Sequence, residues 1–330
     1  MSVEFKSLSH AVEQIKIEGM VSPQDVIGLR GFVFGDGVVS SQEAGELFSL
    51  SRAGFVIPEW LEFFVEAMTD YIVNQAKPRG YVSSQNANWL MEQVRSSGEL
   101  PSALELETLV NVINKAKSCP ETLSVFTLEV VKDGVIKGEG ALRRGAKLEA
   151  GVIGAAEVDL LRLVLYGMGG TDSVAISRAE AEVLFDINDI VGDAANHPSW
   201  PDLFVKAIAN FLMASSGYKV PTRQEALRSE EWVDDDRASI TDFLSKTFAG
   251  GLRGILKSYS VDDAWAEKNK DHKKSIETNE VVDAGEAQWL IERVNRDGKV
   301  HKNERALLSF IKDNSPDIHP ELQAVLSQVA

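Results

Sequence analysis

The chain has 330 residues, of which 44% are hydrophobic and 25% charged, which is enough apolar material for two or more compact units. Its net charge of −16 disfavours nucleic-acid binding, which depends on neutralising phosphates, and suits cations or basic protein partners. The single cysteine, Cys119, excludes an internal disulfide and is typical of a buried thiol in a reducing compartment. The first residues lack a signal-peptide pattern, and no apolar run reaches the roughly 20 residues of a membrane span. The sequence therefore predicts a cytoplasmic protein.

Four sequence blocks occur twice in the same order, which predicts an internal duplication. The matched blocks are 25–35 with 157–167, 39–48 with 176–185, 60–72 with 200–212, and 82–100 with 282–300. We therefore predict two tandem units, 1–145 and 146–330. The spacing between matched blocks increases before the last pair, which indicates an insertion in the second unit at about 221–279.

The repeated blocks have the apolar spacing of amphipathic helices rather than the alternation of strands. Their four tryptophans fall on apolar faces and are predicted core residues: Trp60, Trp89, Trp200 and Trp289. In 123–138 we expect a helix that ends before Asp133-Gly134, with a short hairpin as the alternative. The predicted fold class is all-α, built from helix pairs, with a helical arm inserted in the second unit.

The segment GDGVVSSQE at 35–43 contains a frame, D-G-x-V-x-x-x-E, that occurs again near the C-terminus. Its members are Asp36, Gly37, Val39 and Glu43, and then Asp297, Gly298, Val300 and Glu304. The frame is similar to the second half of a calcium-binding EF-hand loop, whose first half would place Phe32 and Phe34 where oxygen ligands belong. Because of the likeness in the second half, a divalent-cation site is one interpretation, with calcium as the candidate ion and Asp36, Glu43, Asp297 and Glu304 as ligands. The two phenylalanines make it the alternative rather than the favoured interpretation.

The favoured interpretation of the same frame is a tight turn followed by a helix N-terminus. Gly37 would take a positive φ, and Ser40 and Glu43 have capping-box spacing. The same spacing occurs at Ser177 with Glu180 and, in an Asp variant, at 283–286. These segments therefore predict where helices begin.

An acidic-Gly-x-hydrophobic-x-x-x-Glu frame before amphipathic helices resembles the TerB-like domain, named for a tellurite-resistance protein. Asp36 to Glu43 and Asp297 to Glu304 carry the resemblance. It implies an all-helical fold and a role in stress response or protein assembly, near membranes or with bound metal. It does not imply a catalytic reaction.

A second candidate cation site lies in DINDIVGDAANHPSW at 186–200, the densest polar run of the chain. Its oxygen ligands would be Asp186, Asn188, Asp189 and Asp193. The alternative is a helix end followed by a loop, with Ser199 as the N-cap of the next helix.

The inserted arm contains an amphipathic segment at 240–259 with basic residues outside its apolar side. Phe243, Phe248 and Leu252 are its candidate partner-binding residues, because such a helix fits a partner's groove or a membrane surface. Packing of this helix on the second unit is the alternative.

The sequence has no G-x-S-x-G, H-E-x-x-H or C-x-x-C motif. The leading prediction is a non-enzymatic cytoplasmic binding or scaffold protein of TerB-like type, linked to stress, with a protein partner. A divalent-cation sensor is the first alternative, and a hydrolase with a composite site between the two units is the second. The oligomeric state stays open.

Overall fold

In the computed structural model, most of the described residues are helical. The described residues are 6–35, 37, 39–53, 56–77, 79–96, 98–143, 149–167, 176–192, 194–213, 284–294, 296, 299–314 and 320–326. Within these residues there is no sheet, and Tyr81 and Ser118 form one isolated bridge. The predicted all-α class is confirmed for this part of the chain. Among the described helices, none combines the length and the apolar character needed to cross a membrane.

Thirteen α-helices are described. The first seven are α1 Leu8–Glu18, α2 Pro23–Val33, α3 Ser41–Phe48, α4 Pro58–Thr69, α5 Ser84–Arg95, α6 Ala103–Lys115 and α7 Glu121–Lys137. The remainder are α8 Ala155–Gly167, α9 Arg178–Val191, α10 Ser199–Met213, α11 Ala284–Val294, α12 Lys302–Asn314 and α13 Pro320–Leu326. A π-helical segment, Asp70–Gln75, follows α4 directly, and a 3₁₀ turn, Ala141–Arg143, follows α7.

The helices group into two compact units that divide within α7. Unit one contains the described residues up to 130 together with 139–143, and unit two contains 131–138 and the described residues from 149 onward. The sequence prediction placed all of α7 in the first unit. The ion pair from Lys132 to Asp186 links the second part of α7 to the rest of unit two, and these two residues are too far apart in the sequence for the contact to be foreseen.

In unit one, α4 contacts α2, α3 and α6, and α1 contacts α2 and α3. Aromatic rings fill the centre of this arrangement: Trp60 lies 5.4 Å from Phe64, and Phe48 lies 5.4 Å from Phe64 and 6.0 Å from Trp89. Every residue of α6 from Ala103 to Asn114 is buried, so this helix has no solvent-exposed face before its last residue.

In unit two, α10 contacts α8, α9 and α12, while α11 and α12 contact α13. Phe185 lies 5.1 Å from Phe204 and 5.4 Å from Trp289, and Trp200 lies 5.8 Å from Phe204. These edge-on and tilted ring pairs are the geometry that aromatic quadrupoles favour. The prediction of core tryptophans is confirmed for Trp60, Trp200 and Trp289, whereas Trp89 is partly exposed.

Two local predictions were wrong. The helix in 123–138 does not end before Asp133-Gly134, and no hairpin forms there, because α7 continues to Lys137. Val131 and Val135 are buried with helical spacing, and Gly138 takes a φ of 67° directly after the helix, as a C-terminal glycine does. Cys119 is partly exposed rather than buried. The predicted arm at 221–279, with Phe243, Phe248 and Leu252, lies outside the described residues.

Candidate functional site

The glutamates of the repeated frames, Glu43 and Glu304, lie at helix N-termini. Six helices, α2, α3, α6, α8, α9 and α12, have an acid whose carboxylate accepts the backbone N–H three residues earlier, at 2.7–2.9 Å. These acids are Asp25, Glu43, Glu105, Glu157, Glu180 and Glu304. Each bond satisfies one of the N–H groups that a helix N-terminus leaves unpaired.

Glu43 and Glu304, two of the predicted cation ligands, belong to this set. Glu43 accepts from the Ser40 N–H at 2.8 Å, and Ser40 Oγ accepts from the Glu43 N–H at 3.2 Å, which confirms the capping box. Glu304 is 1% exposed and accepts from the His301 N–H at 2.7 Å. Gly37 has the predicted positive φ, 77°. Asp36 and Asp297 lie outside the described residues, so a cation bound by the complete frames stays a prediction.

Asp186, from the second candidate cation site, is surrounded by basic side chains. Its Oδ1 accepts from Arg293 at 3.0 Å and from Arg296 at 2.8 Å, and Lys132 Nζ lies 3.4 Å from its Oδ2. Burial raises the pKa of Asp186, but the hydrogen bonds from Arg296 and Arg293 outweigh it and hold the pKa below its ordinary value. The hydrogen bond between Arg296 and Asp186 also raises the pKa of Arg296. Basic side chains of the same chain thus occupy the place that a bound cation would take beside this carboxylate.

The neighbours of Asp186 complete an ion-pair network on α9. Arg293 also donates to the Glu182 carbonyl oxygen at 2.9 Å and pairs with the Glu182 carboxylate, to which the Trp289 indole N–H donates. Arg296 lies 3.5 Å from Asp189. The network therefore joins α9 to α11 and to Arg296, two residues beyond the end of α11.

The other two predicted ligands of the 186–197 site do not join this network in the described residues. Asn188 is buried, and its Oδ1 accepts from Asn303 of α12 at 2.9 Å. Asp193 lies outside the described residues. Across the part of the chain that the structure describes, no group of three or more His, Cys, Asp or Glu side chains could hold a metal ion.

An ion pair between a partly exposed arginine and a buried carboxylate in unit one was not predicted from the sequence. Arg52 donates to both oxygens of Glu105, at 3.2 and 2.8 Å, and to Glu99 at 3.0 Å, while Ser51 Oγ donates to Glu105 at 2.7 Å. Glu105 also closes the N-terminus of α6, so one carboxylate joins the end of α3 to the start of α6. The capping spacing of Ser102 and Glu105 is a signal that could have marked the start of α6, whereas no sequence signal connects Glu105 with Arg52.

His197 and Ser199, both in unit two, form a contact that resembles part of a hydrolase site. Ser199 Oγ lies 2.7 Å from His197 Nδ1, a distance that fits a nucleophile and its base. The pair occurs two residues apart in the turn that enters α10, and the Ser199 N–H also points to Nδ1 at 3.4 Å. Among the described residues no carboxylate orients the imidazole, so the pair has the geometry of a helix start rather than of a triad.

A groove of about 520 Å³ lies between α1 and α3 in unit one. Glu46 lines it, and its Oε1 accepts from Ser9 Oγ and from Gln42 Nε2, each at 2.9 Å. Its Oε2 is shielded from water and has no hydrogen-bond partner among the described residues. Glu13 and Lys16 are the other charged side chains of the lining. No sequence motif marks this groove.

Glu107, in the buried helix α6, has a carboxyl group that no donor of the described residues reaches. It is 1% exposed, and neither of its oxygens has a hydrogen-bond partner within the described ranges. Burial, and then the charge of Glu62, raise the pKa of Glu107 to about 8. The carboxyl group is therefore neutral in the folded protein at neutral pH.

The fold and the site together define an acidic, all-helical protein whose carboxylates close helix ends and form ion pairs. No protein-family model, no curated protein and no solved structure matches this chain.

Proposed function

We propose that the chain is a non-enzymatic binding or scaffold protein of TerB-like type, made of two tandem helical units that hold a basic protein partner. The observation that carries this proposal is that the described carboxylates of the candidate sites bond to groups of the same chain. Glu43 and Glu304 close helix ends, and Asp186 is bonded to two arginines, so the described acids of the candidate sites have structural roles. Such a chain acts through its surface rather than through a catalytic or metal centre.

The tandem arrangement is supported by equivalent contacts in the two units. The helices α2, α3 and α6 contact α4 as α8, α9 and α12 contact α10. The acidic N-terminal caps fall on the same helices of each set, α2 with α8, α3 with α9, and α6 with α12.

Aromatic ring contacts follow the same correspondence. Phe48 contacts Phe64 and Trp89 as Phe185 contacts Phe204 and Trp289, at ring distances of 5.1–6.0 Å. Duplicated helical units of this kind are common platforms for protein recognition.

The chemistry of the partner follows from charge and exposure. A net charge of −16 attracts a basic surface and accelerates its association at low salt. Three large apolar side chains near the α1–α2 turn are exposed by 51–74%: Ile17, Met20 and Ile27. A basic protein with an apolar contact residue would use both features.

The experiment is recovery of a defined complex from cells with the purified chain as bait, repeated with chelator and with added calcium. We expect one protein to be retained at the same stoichiometry in both conditions and to be released as salt is raised. Reassembly of the complex from the two purified proteins completes the test. Retention only with calcium would support the cation sensor instead, and hydrolysis of the recovered partner would support the hydrolase.

A further inference from the structure

The capping boxes of α3 and α9 give an alignment of the two helices. Matching Glu43 with Glu180 places Gly45 at the position of Glu182 and Ser49 at the position of Asp186. In unit two both of these positions carry a carboxylate, and both carboxylates pair with Arg293. In unit one both positions carry short, uncharged residues.

The helices that cover these faces also correspond. α1 contacts α3 and ends before Gly19, whose φ is 76°, and the second part of α7 reaches α9 through Lys132 and ends before Gly138, whose φ is 67°. Matching the two glycines places Glu13 at the position of Lys132. The cation of unit two is thus replaced by an anion in unit one.

These substitutions leave the face of α3 open where that of α9 is filled. In unit two, Lys132 and Arg293 occupy the acidic face of α9 with basic groups from the same chain. In unit one, the small residues Gly45 and Ser49 line the groove of about 520 Å³. That volume is sufficient for one long side chain of a partner.

The groove presents hydrogen-bond acceptors and an excess of negative charge. Its lining includes two carboxylates, Glu13 and Glu46, and one ammonium group, Lys16, and both Glu13 and Lys16 lie at the exposed surface of α1. The Glu46 Oε2 is an acceptor that no donor of the described residues reaches, which is costly for a shielded carboxylate. Ser9 and Gln42, which hold the other oxygen, are exposed side chains that can rotate to admit a ligand donor.

We propose that this groove binds an arginine side chain of a protein partner, with its guanidinium donating to Glu46 and to the hydroxyl oxygens of Ser9 and Ser49. The inference rests on the duplication in the proposed function and specifies how that partner is recognised. Arginine is favoured over lysine because its planar fork contacts several acceptors at once, as Arg293 does with Glu182 and Asp186 in unit two.

The test is an NMR titration of the full chain with N-acetyl-arginine amide at physiological salt. N-acetyl-citrulline amide, which has the same shape without the charge, is the control ligand. Gly45→Leu fills the groove, and Gly31→Leu is the matched control, since an added Cβ meets no atom within 4 Å at either helical glycine. Neither variant is expected to disturb the fold.

We expect saturable shifts of the α1 and α3 amides with the arginine ligand. Gly45→Leu should abolish them, Gly31→Leu should leave them unchanged, and Glu46→Gln should weaken binding about tenfold. Shifts that persist in Gly45→Leu, that citrulline reproduces, or that lysine amide produces with equal affinity would overturn the proposal. A protein partner that binds the Gly45→Leu variant as well as wild type would overturn this site and leave the proposed function intact. Binding of the arginine ligand in the groove, with no protein partner recovered from cells, would support this site and contradict the proposed function.

Discussion

Replacement of Glu107 by glutamine should make the protein more stable at mildly alkaline pH. Every residue of α6 from Ala103 to Asn114 is buried, and its polar neighbours find partners: Thr108 bonds the Leu104 carbonyl oxygen at 2.7 Å, and Asn111 bonds Thr69 at 2.6 Å. The Glu107 carboxyl group has none among the described residues. Its proton is therefore retained in the folded state to a much higher pH than in the unfolded chain.

The sign and size of the effect follow from proton linkage. Below pH 4.5 both states hold the proton, and between pH 4.5 and about 8 only the folded state holds it, so increasing pH favours the unfolded chain. Stability is complete below pH 4.5, declines up to about pH 8 and then levels off. At about 1.4 kcal/mol per pKa unit, the interval from 4.5 to about 8 corresponds to about 5 kcal/mol.

The assay is urea unfolding of the wild-type chain and of Glu107→Gln across this pH range. We expect similar stabilities at pH 4.5 and an advantage for the variant that grows to as much as about 5 kcal/mol near pH 8. Glu92→Gln, a change at an exposed residue of α5, should leave the pH profile unchanged. Parallel profiles for the wild-type chain and Glu107→Gln, or a carboxyl NMR titration of Glu107 near pH 4.5, would refute the reasoning.

Three further predictions concern the ion pairs and caps. Arg52→Met should destabilise unit one by about 3 kcal/mol in urea, because it leaves buried Glu105 without its main partner. Ser40→Ala and Ser177→Ala should each cost about 1 kcal/mol by the same assay, since each removes a side-chain cap. Asp186→Asn should lower the melting temperature at neutral pH and remove the part of the acid lability that develops as the wild-type Asp186 is protonated, because its lowered pKa stabilises the fold only above that range.

The control for Arg52→Met is a substitution in an ion pair that is exposed to solvent. Lys206→Met breaks an exposed pair with Asp202 and should cost less than about 1 kcal/mol. A cost equal to that of Arg52→Met would contradict the role given to burial. A stability of Ser40→Ala equal to wild type would contradict the capping role of that residue, and an unchanged acid profile in Asp186→Asn would contradict the effect of its arginines.

The sequence predicts the local features of this fold well, because they depend on neighbouring residues. The capping boxes at Ser40 and Ser177 require only residues three positions apart, and both occur as expected. The end of α7 was misjudged because Asp133-Gly134 reads as a breaker, while buried Val131 and Val135 keep the helix intact. Tertiary packing decided that boundary, and the sequence alone does not contain it.

The candidate sites were harder to predict because their partners are distant in the chain. The run at 186–197 reads as a cation site when only local oxygens are considered, yet Asp186 is bonded to Arg293 and Arg296, more than a hundred residues away. The ion pair between Arg52 and Glu105 was not predicted for the same reason, because the two residues are far apart in the sequence. No sequence signal marks the oxygens of Glu46 and Glu107 that lack a partner, since only the fold shows that no donor of the described residues reaches them.

The measurement that tests the central claim most directly is a calorimetric titration of the metal-stripped chain with calcium, with thermal unfolding recorded before and after. If Glu43 and Glu304 serve as helix caps in a metal-independent binding protein, the titration shows no saturable heat and the melting temperature does not change. Micromolar binding with a higher melting temperature, both lost in Glu43→Gln or Glu304→Gln, would contradict the account and establish a cation sensor.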